Sequence, residues 1–172
     1  LAAVTRATPK IAAYPFTTLS PQLGIAEVDV ARRLVIGDIP GLIAGASTGA
    51  GLGHSFLRHI ERTRVLVHLV DADPPDGSDP ADNYRTIRDE LFGYAPLLAE
   101  KPEIIAITKL DLLGGTPDDA QTAVDLLRPR LRVASDTPVL AISSAARLGL
   151  NDLLETCWTV VEREKERAGA EG

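Results

Sequence analysis

Thr108-Lys109-Leu110-Asp111 follows an apolar run at 104–107 and carries side chains suited to reading a nucleobase. An aspartate at a strand end can accept two hydrogen bonds from the N1–H and N2–H2 edge of guanine, a pair that adenine cannot supply. A site built on such bonds discriminates strongly, because the wrong base leaves a buried acceptor unpaired. The Lys109 stem can lie along a base while its ammonium stays in polar surroundings. The same residues could equally form a solvated turn ahead of a helix, and taken alone they do not decide between the two.

Asp38-Ile39-Pro40-Gly41 follows a second apolar run, Leu34-Val35-Ile36. Ligands of open α/β sheets bind at the carboxyl ends of strands. A carboxylate there can join a Mg²⁺ shell, usually through water, and a glycine just beyond can bring its backbone N–H close to a terminal phosphate. Taken alone, Asp-x-x-Gly is an ordinary strand-ending turn. Phe16-Thr17-Thr18 sits in a Pro/Thr-rich loop at 14–24. A threonine hydroxyl can join a Mg²⁺ shell while a neighbouring N–H meets a γ-phosphate, as in the ordered state of a nucleotide switch, or it can be only a loop threonine. Ser143-Ser144-Ala145 is small enough to let backbone N–H groups approach a base carbonyl, and alone it says little.

The elements that must position these residues follow from periodicity and punctuation. Residues 1–8 read as the last turns of a helix stopped by Pro9. Ile25–Val30 alternates apolar and acidic side chains as a half-exposed strand does, and Arg33–Gly37 is its hairpin partner across Ala31-Arg32. Residues 41–53 form a Gly-rich loop, and Phe56, Leu57, Ile60 and Arg64 mark a short helix. Val65–Val70 is expected as a strand buried on both faces, with an amphipathic helix over Asp79–Leu98. Strands at Glu103–Thr108 and Pro138–Ile142 are followed by helices at 117–132 and 150–167. This alternation implies parallel crossovers and an α/β sheet. There is no internal repeat, and the charged end at 162–172 is expected to fray or lead into a linker.

The 172 residues suit one domain, and 45% hydrophobic content is ample for a core. Aromatics are only 4%, so Leu, Val, Ile and Ala must fill that core. A net charge of −6 argues against non-specific nucleic-acid binding by this chain, which would need clustered Lys and Arg. It leaves open an RNA or ribosomal partner reached through other domains. The single Cys157 cannot form an internal disulfide, which fits a reducing compartment. Apolar runs are strand-sized, far short of a membrane span, and the start lacks the regions of a signal peptide.

One expected part does not occur. No Gly-Lys pair exists, since Lys10, Lys101, Lys109 and Lys165 follow Pro9, Glu100, Thr108 and Glu164. A phosphate-cradling Gly-x-x-x-x-Gly-Lys-Ser/Thr loop is therefore not in the chain. With Leu first and no methionine at all, the sequence reads as a piece of a longer chain.

Order, spacing and strand-end placement agree across the stretches, and together they resemble the Obg family of Ras-like GTPases. The resemblance rests on Pro9-Lys10-Ile11-Ala12, Tyr14-Pro15-Phe16-Thr17-Thr18-Leu19, Pro21, Leu23-Gly24, Asp38-Ile39-Pro40-Gly41-Leu42-Ile43, Gly45-Ala46-Ser47, Gly51-Leu52-Gly53, Phe56-Leu57-Arg58-His59-Ile60 and Arg62-Thr63. It implies an α/β P-loop NTPase (Ras-like) three-layer fold with a mostly parallel sheet, its first strand and P-loop missing. By the motif's usual setting, about a dozen residues lie upstream of Leu1. The domain would occupy 1–168, with 169–172 a tail or linker.

The resemblance further implies binding of GTP and GDP with Mg²⁺, slow hydrolysis, and association with ribosomal particles during assembly in the cytoplasm, as a monomer. Thr18 would be the metal ligand. Phe16, Thr17, Thr18, Leu19 and Ser20, with Asp38, Ile39, Pro40 and Gly41, would line the phosphates. Thr108, Lys109, Leu110 and Asp111 would read guanine, helped by Ser143, Ser144 and Ala145. Thr108 stands where many relatives carry Asn, so lower base affinity is expected, and Ser144 stands where Ala is usual. Leu42 follows Asp-x-x-Gly where Ras has a water-orienting Gln. An apolar side chain cannot orient water, so no catalytic base is assigned.

Two rivals compete with this reading. Without a P-loop, which supplies most phosphate contacts, the chain could be a nucleotide-incompetent binding or scaffold module, aggregation-prone where the missing strand exposes two edges. An unrelated α/β hydrolase is the other rival. Gly45-Ala46-Ser47-Thr48-Gly49 fits the Gly-x-Ser-x-Gly spacing but lies within the Gly-rich loop at 41–53 rather than on an expected strand-to-helix elbow, and no metal-ligand cluster supports a hydrolase. His54 and His59 face differently on one helix, and His68 reads as a satisfied core histidine. Asp71 and Asp73 read as a solvated strand end. Gly49, Gly51 and Gly53 read as a mobile switch loop, and Cys157 and Trp158 as packing.

Overall fold

The computed structural model describes residues 1–5, 10–11, 22–38, 63–94 and 96–170. Contacts divide the chain into two compact units, Leu1–Arg64 with Thr86–Lys101, and Val65–Arg85 with Pro102–Gly172.

In the first unit, β1 (Lys10–Ile11), β2 (Gln22–Glu27) and β3 (Arg33–Gly37) form an antiparallel sheet in that order. The expected hairpin is present, but β2 ends at Glu27 rather than Val30. Ile25 pairs with Val35 and Glu27 with Arg33. Asp29 sets the turn, because its Oδ1 accepts the N–H groups of Ala31 and Arg32, both at 2.8 Å, a local side-chain competitor that ends the strand early. The described start, 1–5, is a single turn rather than the end of a helix, with Val4 N–H donating to the Leu1 carbonyl at 3.1 Å. The short helix expected near Phe56 lies outside the described residues.

In the second unit, β4 (Leu66–Asp71), β5 (Glu103–Thr108) and β6 (Val139–Ala141) form the expected parallel sheet, with β5 in the middle. The β4–β5 register aligns their ends, Leu66 with Glu103 and Asp71 with Thr108. One sheet face packs into a core with Val70, Ala81, Tyr84, Ile105, Ile107, Leu110, Leu127, Leu131 and Ala141. His68, expected in the core, is half-buried at its edge and paired. His68 Nδ1 lies 3.1 Å from Glu103 Oε1, and Tyr84 donates to Glu103 Oε2 at 2.8 Å. The expectation that this strand is buried on both faces does not hold, because Leu69 is 61% exposed. Among the described residues, β4 has a paired neighbour on one side only.

The helices are α1 (Pro80–Tyr94), α2 (Pro96–Ala99), α3 (Pro117–Leu131) and α4 (Leu150–Ala170). The helix expected over Asp79–Leu98 is divided before Pro96, which has no N–H for the ladder and disfavours helix in the residue ahead of it. Asp79 caps α1, accepting from the Ala81 and Asp82 N–H groups at 2.9 and 3.1 Å. Thr116 starts α3 through a reciprocal capping box with Asp119. The last helix runs three residues past its expected end at 167.

Candidate functional site

The parallel ends of β4, β5 and β6 open onto one cleft of about 570 Å³, lined by Leu69, Asp71, Thr108, Lys109, Asp111, Leu112, Ser144 and Ala145. Six of these eight residues lie in the strand-end segments 71, 108–111 and 143–145. Parallel strands bring their carboxyl ends to one edge, which is why residues more than thirty positions apart meet here.

Each side chain has a traceable cause for its position. β5 ends at Thr108, whose hydroxyl donates to the Val70 carbonyl at 3.3 Å and ties the end of β5 to β4. The chain then turns sharply. Lys109 has φ 63° and ψ 34°, the left-handed region, and caps a 3₁₀ turn, Leu110–Leu113. For a residue with a Cβ that conformation costs roughly 1–2 kcal/mol, a strain of the kind that collects at functional sites. The turn is held from beneath by the Leu110 N–H, which donates to the Ile142 carbonyl at 3.0 Å. Leu110 itself is buried in the core.

Asp111 emerges from this turn exposed, and Ser143 orients it. The Ser143 hydroxyl donates to Asp111 Oδ1, and Ser143 Oγ in turn accepts the Ala146 N–H at 2.9 Å. Ser143 is fully buried, and its backbone exchanges two hydrogen bonds of 2.9 Å with Leu148, closing the 143–148 loop. A carboxylate has about four acceptor positions, so one bond from Ser143 leaves capacity for a bidentate edge. Gly149 (φ 66°) completes the loop; a Cβ there would meet the Ala141 carbonyl.

The lysine has a partner the sequence does not announce. Lys109 Nζ lies 2.7 Å from Asp71 Oδ2 and 3.5 Å from the Asp73 carbonyl. Asp71, expected to be only a solvated strand end, is therefore ion-paired. The signal that could have found it is register: two runs of equal length pair in parallel, so the residues that end them stand side by side.

The structure thus brings together Thr108, Lys109, Leu110, Asp111, Ser143, Ser144 and Ala145, with two changes of role. Leu110 packs inward, and Ser143 supports Asp111 instead of offering a small surface to a ligand. Asp38 follows β3 in the other unit and is exposed. Phe16, Thr17, Thr18, Leu19, Ser20, Ile39, Pro40 and Gly41 lie outside the described residues. Among the described residues no group of three or more His, Cys, Asp or Glu side chains could hold a metal. No described helix is long and apolar enough to cross a membrane.

The family model described as 50S ribosome-binding GTPase matches residues 1–109. GTPase Obg from Picosynechococcus sp. is 48% identical over 96% of this chain and 44% of its own length. GTPase Obg from Lactobacillus acidophilus is 46% identical over 97% of this chain and 38% of its own length. The chain thus spans less than half the length of these curated relatives. Among solved structures, the cytosolic domain of the T. maritima FeoB iron transporter in apo form superposes with TM-score 0.60 at 19% identity, over 94% of this chain and 56% of that one. Era from Aquifex aeolicus, solved bound to GDP.AlF4-, gives 0.52 at 22% identity, over 80% and 43%. At such identities these structures speak for the fold alone, a P-loop GTPase fold. The chain belongs to the 50S ribosome-binding GTPase family and, within it, is of the Obg type.

Proposed function

We infer that this chain is the guanine-nucleotide-binding part, residues 1–168, of an Obg-like GTPase that binds GTP and GDP with Mg²⁺ and hydrolyses GTP slowly. The observation that supports it best is the pairing of Asp111, which lines the cleft, with the buried Ser143. That pairing holds a carboxylate in one orientation, as reading a two-donor base edge requires. Lys109 and Ala145 flank it in the cleft. Phe16–Ser20 and Asp38–Gly41 are assigned to the phosphate side, with Thr18 as metal ligand. Mg²⁺ keeps several waters and takes one or two protein oxygens beside phosphate oxygens, so an exposed carboxylate such as Asp38 suits its outer shell. Bound there, the ion would neutralise phosphate charge. Work on ribosomal particles in the cytoplasm is the role that fits the family description.

The missing Gly-Lys pair favours a second reading, in which this stretch alone binds no nucleotide and serves as an interaction module. The test is titration of a fluorescent GDP analogue, with ADP as competitor, against the full-length protein and against this chain. Guanine-selective binding by the full-length protein is the expected result. Equal competition by ADP, or no binding by either, would overturn the nucleotide reading and leave the module.

A further inference from the structure

We propose that Asp71 is a positioning residue for guanine-nucleotide binding, holding the Lys109 side chain in place as a wall of the base cleft. The inference rests on the nucleotide reading above and adds a residue to that site.

Asp71 is itself held in place. Its Oδ1 accepts the Asp73 N–H at 3.1 Å, an Asx-type turn that closes the end of β4. Its Oδ2 meets the Lys109 ammonium at 2.7 Å. The two oxygens therefore do separate work: one fixes the carboxylate to its own loop and the other fixes the lysine. Asp71 is the register partner of Thr108, so the anchor comes from the neighbouring strand, one residue away from the lysine across the ladder.

Magnitude decides what the pair is for. The Lys109 and Asp71 side chains are 40% and 33% exposed, and ion pairs in such surroundings contribute little to folding. A four-carbon stem that is free in the unliganded protein must be ordered when a base packs along it, and immobilising such a rotamer-rich side chain on binding lowers affinity. A lysine already tethered at its tip, on a backbone locked in the left-handed region, has lost that freedom beforehand. The pair thus contributes to affinity by pre-ordering the cleft, with little effect on the fold.

The test is a double-mutant cycle on GDP affinity in the full-length protein, with D71N, K109A and the double variant. Asn keeps an oxygen for the Asp73 N–H while replacing the anchoring oxygen by an amide that cannot hold an ammonium, so the turn survives. D71N is expected to weaken GDP binding about threefold to tenfold. In the K109A background the same change is expected to cost less than about twofold, since it acts through the lysine. The melting temperature of D71N should stay within about 2 °C of the parent. GDP affinity of D71N within twofold of the parent would overturn the proposal, as would an equal loss with and without Lys109. Failure of the parent protein to prefer GDP over ADP would instead refute the nucleotide reading and take this proposal with it.

Discussion

In β5, Ile104, Ile105, Ala106 and Ile107 are each at most 1% exposed, whereas the β2–β3 hairpin buries only alternate residues. There Ala26 and Leu34 are inside while Ile25 is 51% and Val35 73% exposed. A central parallel strand has ladders on both sides and packing on both faces, so its end cannot shift without disturbing the core. An antiparallel hairpin with one buried face is held by its register and by half its side chains. The residues assigned to the base hang from the first kind of anchor, and Asp38 follows the second.

The largest expected effect probes that contrast. Ile105→Ala should cost about 2–5 kcal/mol in urea unfolding, as large-to-small core changes do, while Val35→Ala should cost about 0.5 kcal/mol or less. Comparable losses would mean that the exposed face of the hairpin is covered in the working protein. Next, Ser143→Ala removes the hydroxyl that holds Asp111 and leaves the Ala146 N–H without its acceptor. A loss of about 1–3 kcal/mol in stability is expected, together with about tenfold weaker GDP binding in titration. Unchanged binding with reduced stability would make Ser143 a purely structural residue.

The smallest effect is electrostatic. The Thr116 hydroxyl, and after it the Thr116 backbone N–H, hold the Asp119 carboxyl below its ordinary value of 3.8. A lowered folded-state value means the charged cap stabilises above pH 3.8 and that this stabilisation fades as pH falls below it. Asp119→Asn should therefore lower the melting temperature slightly at pH 7, and the gap should close as pH drops below 3.8. A gap that is constant with pH would show that the cap acts without charge.

Much of the second unit is legible in the sequence. Glu103–Thr108 is bounded by Pro102 and by a polar stretch, and Thr116-Pro117 announces α3, so β5 and α3 come within a residue of their expected bounds. The strand-end placement of Thr108–Asp111 follows from that alone. What the sequence leaves hidden is pairwise. The Asp71–Lys109 ion pair depends on strand register, the inward turn of Ser143 depends on the loop closed by Leu148, and the exposure of Leu69 depends on which strands flank β4. Apolar content says that a strand is buried, but not on which side a neighbour stands. Asp29 shortens the expected strand through a side-chain bond that periodicity does not register.

The central claim is that the Asp111 carboxylate reads the two-donor edge of guanine. The direct measurement compares GDP and XDP binding to the full-length protein and to its D111N variant. Xanthine carries a carbonyl where guanine carries N2–H2, and an Asn amide can donate to it. The account predicts that D111N loses about 100-fold or more in GDP affinity and comes to prefer XDP. A D111N protein that keeps its GDP affinity and refuses XDP would contradict it.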